Sequence, residues 1–212
     1  MKGKWISVLL ILSLSLFAIS AGIAAPILSR GFYAAHVKAL HLPEQTEWSE
    51  AEILEAYDDV MRFLLRDGEF GTGVLHWSES GKAHFTDVRG LFQLDLRLFG
   101  LSAAASTALL LLSRRMKPYR FAGRGPSFWA GAGVLALFAV IGGLGATDFD
   151  RAFTVFHHIF FPGKTNWLFD PSEDQIIQIL PEVFFRNCAI LAIGIILVLC
   201  IVYLIAGKKR KS

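Results

Sequence analysis

Four apolar stretches, at about 5–24, 91–112, 127–147 and 186–207, each approach the roughly 20 residues an α-helix needs to cross about 30 Å of hydrocarbon. Inside a bilayer the backbone must satisfy its own hydrogen bonds, so stretches of this kind fold as helices. A chain of 212 residues that carries four of them has room for little else. An apolar share of 54% and a mean hydropathy of +0.49 agree with that reading. The expected fold is all-α: one integral membrane domain over residues 1–212, with four spans and both termini on the same side.

The charges choose the side. Lys2 and Lys4 precede the first span; Arg114, Arg115, Lys117, Arg120 and Arg124 lie between the second and third; Lys208, Lys209, Arg210 and Lys211 end the chain. These are 11 of the 21 basic residues, and no acid lies among them. Of the 18 acids, 17 fall in the other two connections and Asp95 falls within the second span. By the positive-inside rule the termini and the 113–126 loop face the cytoplasm, while 25–90 and 148–185 are extracytoplasmic loops. The net charge of +3 thus reports topology and gives no sign of a nucleic-acid partner. Small residues from Ala21 to Ala25 before Pro26 also suit a signal-peptide cleavage site. The apolar run is longer than the roughly 7–15 residues of a signal peptide's core, so a retained anchor is expected.

Both cysteines, Cys188 and Cys200, fall in the fourth span, twelve residues apart. Twelve helical residues rise about 18 Å, far beyond the roughly 7 Å limit for disulfide Cα atoms. The extracytoplasmic loops have no thiol, which argues against a cysteine nucleophile there.

Those loops have helices of their own. Ser49 and Glu52 form a capping-box pair, Trp48 and Ile53 stand at staple positions, and Ile53, Leu54, Tyr57, Val60, Met61 and Leu64 follow on one face. Such an amphipathic helix suits the membrane surface, the roof of a cavity, or packing against other helices. Asp170-Pro171-Ser172-Glu173 suits the start of a second short helix carrying Ile176, Ile177 and Leu180, and capping alone would account for Asp170. In the third span the run from Gly131 to Gly145 is rich in small residues, as close helix packing requires.

Residues able to do chemistry are few. No GxSxG elbow, HExxH pair, phosphate-binding Walker loop or paired CxxC occurs. All six histidines lie in the extracytoplasmic loops. His84 sits in His84-Phe85-Thr86-Asp87-Val88-Arg89 just before the second span, and His157 follows the third among Phe153, Phe156, Phe160 and Phe161. A histidine in an aromatic segment often only packs, but burial there would hold the imidazole neutral, as a general base must be. His158, about 100° further round the helix, would not face the same target. Asp95 and Arg97, in the first turns of the second span, suit either a polar floor beneath His84 and Arg89 or an interfacial ion pair.

The combination F-x-x-F-H-x-x-F-F-P-G-K-x-N-W-x-F-D-P-x-x-D-x-I-I-x-x-L-P-E-x-F-F from Phe153 to Phe185, with H-F-x-D-V-R upstream, resembles the bacterial lipoprotein intramolecular transacylases. The four-span layout is similar too, so the resemblance covers nearly the whole chain. It implies transfer of the sn-2 acyl chain of a diacylglyceryl-modified lipoprotein to the α-amine of the same N-terminal cysteine, leaving an N-acyl lyso form. Such a substrate brings its own nucleophile and ester, so no cofactor or metal is expected. On this resemblance His157 is the expected general base and His84 its partner at the oxyanion or leaving alkoxide. Arg89, Asn166 and Trp167 are candidate donors around the carbonyl, and Asp87, Asp170 and Asp174 orient the histidines or the amino end. The phenylalanine wall, Phe156 and Phe161 within it, receives acyl chains. The expected partners are diacylglyceryl-modified lipoproteins and membrane lipid, with the chain acting as a monomer.

Two other classes fit parts of the pattern. A zinc-dependent membrane hydrolase would use His84, His157 and a carboxylate such as Asp170 as its three protein ligands. A non-catalytic membrane partner would use the loops only to bind another protein.

Overall fold

The long apolar stretches all fold as helices in the computed structural model, which describes residues 2–66, 68–145 and 148–208. In chain order the elements are α1 (Lys2–Leu28), α2 (Arg30–Ala39), α3 (Leu42–Gln45), α4 (Glu50–Leu65), α5 (Glu79–Ser113), α6 (Pro126–Gly145), α7 (Phe149–Phe160), α8 (Ile176–Ile179) and α9 (Glu182–Ala206). There is no strand among the described residues beyond one isolated bridge, Phe121 to Arg124. Among the described residues three helices are long and apolar enough to cross a membrane: Gly3–Leu28, Glu79–Ser113 and Glu182–Ala206. Within α6 a shorter apolar helix covers Pro126–Val140. The expected end of that stretch at 147 lies outside the described residues, as do Lys209, Arg210 and Lys211 of the basic C-terminus.

The chain divides into two compact units. The first comprises Met1–Ala25, Asp95–Thr147 and Ala189–Ser212. Ile6, Leu10, Leu14 and Ala130 form one of its buried clusters, and Val134, Ile196 and Cys200 another. Small residues permit the contact: a Cβ on Gly131 would stand 2.7 Å from the Cys200 carbonyl oxygen, and one on Gly22 would stand 2.5 Å from an Ile196 side-chain carbon. At Gly131 α6 and α9 are thus in close contact, as small-residue packing expects, while Gly133 faces open space. The two cysteines are free thiols. Three segments also meet here. Tyr119 N–H donates to Gly3 O, Ser7 Oγ to Tyr119 O, Gly125 N–H to Gly207 O, and Arg120 Nη2 to Lys208 O. The start of the chain, the 113–126 loop and the end of α9 are therefore tied to one another. Asp95 is buried and Arg97 exposed, and no ion pair joins them among the described residues.

The second unit comprises Pro26–Leu94 and Asp148–Cys188. Its core is one cluster built by both long connections: Tyr33 and Val37 of α2, the apolar stripe of α4, Phe70 and Phe85, and Ile176, Ile179 and Phe184. Tyr33 stacks on Tyr57 at 3.8 Å and donates its hydroxyl to Ile179 O at 2.9 Å, satisfying a polar atom that burial would otherwise penalise. The capping box forms: Ser49 Oγ accepts from Glu52 N–H, and Glu52 accepts from Ser49 N–H. Helix α4 therefore serves as a core helix, with Ile53, Tyr57, Val60, Phe63 and Leu64 buried.

The second expected cap takes a different form. Asp170 accepts from Ser172 N–H and Oγ, heading a turn, and α8 begins only at Ile176 with no side-chain cap. The intervening turn brings Asp174 to Ser78, whose N–H and Oγ both donate to its carboxylate at 2.8 Å. Pairing of Gln175 with the His76 backbone continues the clasp. Tertiary hydrogen bonding thus decides where this segment turns, over the local preference of Pro171 to open a helix.

Candidate active site

Helix α5 has 35 residues and runs about 52 Å at 1.5 Å per residue, well beyond about 30 Å of hydrocarbon. Its apolar part begins at Leu91, and Glu79–Gly90 form an amphipathic lead-in within the second unit. One side of that lead-in turns Phe85 and Val88 to the core, and His84 is buried with them. On the other side Glu79, Lys82, Ala83, Thr86 and Asp87 border an open cleft.

His157 stands in the last turn of α7. Its Nδ1 lies 2.8 Å from the carbonyl of Phe153, one turn back, so Nδ1 is the protonated donor and Nε2 keeps a lone pair. Phe153 lies 4.2 Å from the ring, and Trp167 stacks on it at 4.6 Å. Phe156 meets it edge-on at 5.4 Å. The two histidines converge, with ring centroids 5.8 Å apart. His84 also packs against Phe161 at 5.1 Å and Phe169 at 5.4 Å, and its Nδ1 has no hydrogen-bond partner among the described residues.

This packing sets the protonation. Burial first, and then the nearby His157, push the His84 imidazole down to about 4. Burial also lowers His157, opposed in part by the hydrogen bond to the Phe153 carbonyl. Both rings are therefore neutral near pH 7. Asp87 behaves oppositely: burial opposes its charge, but hydrogen bonds from Lys164 and Asn166 outweigh this and hold it below the usual carboxylate range.

The other expected residues divide into those at this pair and those elsewhere. Phe161 is buried against His84, and Phe156 is half-exposed beside His157. Lys164 Nζ donates to Asp87 at 2.5 Å and Asn166 Nδ2 to the other carboxylate oxygen at 3.2 Å, leaving the buried Asn166 Oδ1 without a partner among the described residues. Trp167 gives its indole N–H to Lys164 O and turns its ring face to His157. Arg89 donates to Arg66 O at 2.8 Å and lies over the Phe63 ring. Asp170 and Asp174 bond Ser172 and Ser78, and no hydrogen bond joins either to a histidine among the described residues. His158 is exposed, with Trp167 edge-on at 5.8 Å. No group of three His, Cys, Asp or Glu side chains is disposed to hold a metal ion among the described residues, so the His84, His157 and Asp170 ligand set does not assemble.

Sequence reasoning passed over His36. Its Nδ1 bonds Phe32 O at 2.8 Å and its Nε2 accepts from Asn187 at 2.9 Å, which fixes one tautomer. The shared signal is a phenylalanine four residues before each histidine, Phe32 for His36 and Phe153 for His157, on a helix whose i−4 carbonyl takes the ring N–H. His36 has both nitrogens engaged, whereas His157 has one to spare.

Comparison with known proteins adds an independent line. Residues 8–185 match the model of the family described as lipoprotein intramolecular transacylase Lit. The solved structure of the membrane integral lipoprotein intramolecular transacylase Lit from Bacillus cereus is similar, with a TM-score of 0.84 at 22% identity over 94% of this chain and 91% of that one. Two structures of the same protein carrying single histidine substitutions give TM-scores of 0.78 at 21% identity. A search of curated proteins finds no match.

Proposed function

The chain belongs to the lipoprotein intramolecular transacylase family, and we propose that it moves the sn-2 acyl chain of a diacylglyceryl lipoprotein onto the α-amine of that lipoprotein's N-terminal cysteine. It is a membrane-integral acyltransferase acting on lipoproteins. The observation that carries the finer reading is the His157 and His84 pair: two neutral imidazoles 5.8 Å apart in an aromatic enclosure, one with Nε2 fixed as the free acceptor.

The chemistry follows from what these groups can exchange. A cysteine α-amine has a pKa near 7.7–8.0, so at neutral pH much of it arrives as ammonium and must lose a proton. The free amine, its extra proton lost to bulk buffer, attacks the sn-2 ester carbonyl, and His157 Nε2 takes the further N–H proton that the new C–N bond makes acidic. His84, neutral and with an uncommitted ring nitrogen, donates to the oxyanion. As the tetrahedral species collapses, the C–O bond to glycerol breaks and the alkoxide receives a proton from the imidazolium. One ester becomes one amide, and water takes no part. Amine and ester belong to one molecule, so the enzyme's work is orientation and charge stabilisation, and well-oriented intramolecular reactions reach effective molarities of about 10⁵–10⁸ M. Asp87 with Asn166 orients the amino end, and Phe156 and Phe161 line the acyl side. The proposed enzyme acts as a monomer.

The same reading has four spans, with α6 as the third, and both termini and the 113–126 loop in the cytoplasm. Support comes from the 11 basic residues of those segments and from the hydrogen bonds joining Gly3, Tyr119, Gly125, Gly207 and Lys208. The histidine pair is then extracytoplasmic.

Purified protein incubated with a diacylglyceryl lipopeptide tests the reaction. The product should keep the mass of the substrate while one acyl chain becomes resistant to mild alkali. Loss of an acyl chain's mass would mean hydrolysis and would overturn the proposal.

A further inference from the structure

Adjoining the histidine pair is a cleft of about 400 Å³, within the roughly 300–1,000 Å³ of ordinary ligand sites. Glu79, Lys82, Thr86 and Asp87 of α5 line one side and Lys164 and Asn166 the other. It shares Asp87 and Asn166 with the site above. Resting on that reading of the site, we propose that this cleft receives the polypeptide of the lipoprotein substrate, the residues that follow its lipid-bearing cysteine.

The lining favours a peptide over the other parts of the substrate. No aromatic ring and no aliphatic side chain larger than Ala83 borders it, so an acyl chain would meet only Ala83 and the carbon stems of polar side chains. Its charges offset one another: Lys82 pairs with Glu79 at 3.6 Å and Lys164 with Asp87. A neutral polar wall suits a peptide backbone better than a phosphate headgroup, which calls for unopposed cations. The orientation of Asn166 is decided by Asp87, a pure acceptor, which compels the amide nitrogen toward the carboxylate and turns Oδ1 away. That oxygen is buried and lacks a donor among the described residues. In the cleft itself the Thr86 hydroxyl oxygen and the Asp87 carboxylate can accept from a peptide N–H, whereas a diacylglyceryl ester and a phosphodiester bring no donor.

Geometry also assigns the two ends of the substrate to different sides of the lead-in of α5. Rings gather around His84 and His157 on one side, and hydroxyl, amide and paired charges face the cleft on the other. The reacting amine is the point at which lipid and peptide join, so it belongs at the boundary, where Asp87 stands.

Two substrates separate this from general damage: a diacylglyceryl lipopeptide of ten or so residues, and diacylglyceryl-cysteine amide with no peptide tail. Thr86 is exposed at the cleft, so Thr86→Trp fills it without disturbing the core. Thr86→Trp should lower the ratio of kcat/KM for the long substrate over the tail-less one by about tenfold or more, chiefly through KM. A long substrate with a photoreactive side chain two positions past the cysteine should label residues 79–87 in the native protein, and Thr86→Trp should suppress that labelling. An unchanged ratio, equal losses on both substrates, or labelling confined to other segments would each overturn the peptide assignment. Failure of the native protein to convert either substrate would instead overturn the acyl-transfer reading.

Discussion

At the residue scale the account turns on two histidines that differ in one hydrogen bond. His157 spends its Nδ1 proton on the Phe153 carbonyl and has Nε2 to act with, while adjacent His158 is exposed. His157→Asn keeps polarity and much of the size but removes a group able to take a proton near neutral pH. Turnover should fall about 10²–10⁴-fold, the usual worth of a general base, with protein level and membrane insertion unchanged. His158→Asn should cost far less, and equal losses at the two positions would leave only a packing role. The lowered value of His157 also predicts that the rate on acidification is limited first by the substrate amine, near 7.7–8.0, and by the imidazole only below its ordinary range. His84 gives a separate signal in stability. Its imidazole stands at about 4 in the folded protein against 6.5 ordinarily, so between those values the unfolded chain binds more protons and stability rises with pH. Acidification from 6.5 to 4 should cost up to about 3 kcal/mol from this group, at about 1.36 kcal/mol per pKa unit. Thermal unfolding of His84→Gln across that window should be flatter than that of the native protein. Parallel curves would mean that the histidine is solvated.

Among the elements, α4 shows how far local signals reach. Ser49 and Glu52 fixed its start and the 3.6-residue stripe its buried face, because both are properties of neighbours in sequence. Ser49→Ala should lower the stability of the second unit by about 1 kcal/mol, measured by denaturant or thermal unfolding, and a change near zero would make the box ornamental. Local signals failed where distant partners decide. The turn at Asp170 and the late start of α8 depend on Ser78 capturing Asp174, nearly a hundred residues away in sequence. Helix α2 is not legible in the sequence because only Tyr33 and Val37 of its ten residues are buried, and partners distant in sequence, Tyr57, Ile179 and Phe184, cover Tyr33. Gly81 belongs to the same clasp: a Cβ there would stand 2.1 Å from an Asp174 carboxylate oxygen, and that carboxylate is held in place by Ser78 N–H and Oγ. A glycine in a helix is otherwise a cost of about 1 kcal/mol, so this one reads as a space requirement.

For the whole molecule, the sequence carried the membrane class and the aromatic surroundings of His84 and His157, since hydropathy, charge asymmetry and motif density are written along the chain. It did not carry how the polar residues are shared out. Arg89 is committed to Arg66 O and Phe63, Trp167 N–H to Lys164 O, and Asp170 to Ser172, and these choices depend on loop paths that no periodicity encodes. Topology has its own test: cysteines introduced at Ser80 and Ser172 should react with an impermeant thiol reagent on intact cells, and one at Ser212, outside the described residues, should not. The opposite pattern would move the site to the cytoplasm. The central claim, that amine and ester react within one substrate molecule, is tested most directly by a crossover experiment. A mixture of two diacylglyceryl lipopeptides, distinguishable by peptide sequence and with only one carrying isotope-labelled acyl chains, is converted by the purified protein in unlabelled phospholipid, and the products are read by mass spectrometry. The account predicts that each peptide keeps its own two chains, one now in amide linkage, with no exchange of label. A labelled chain on the unlabelled peptide, or an unlabelled lipid chain on the labelled one, would contradict it.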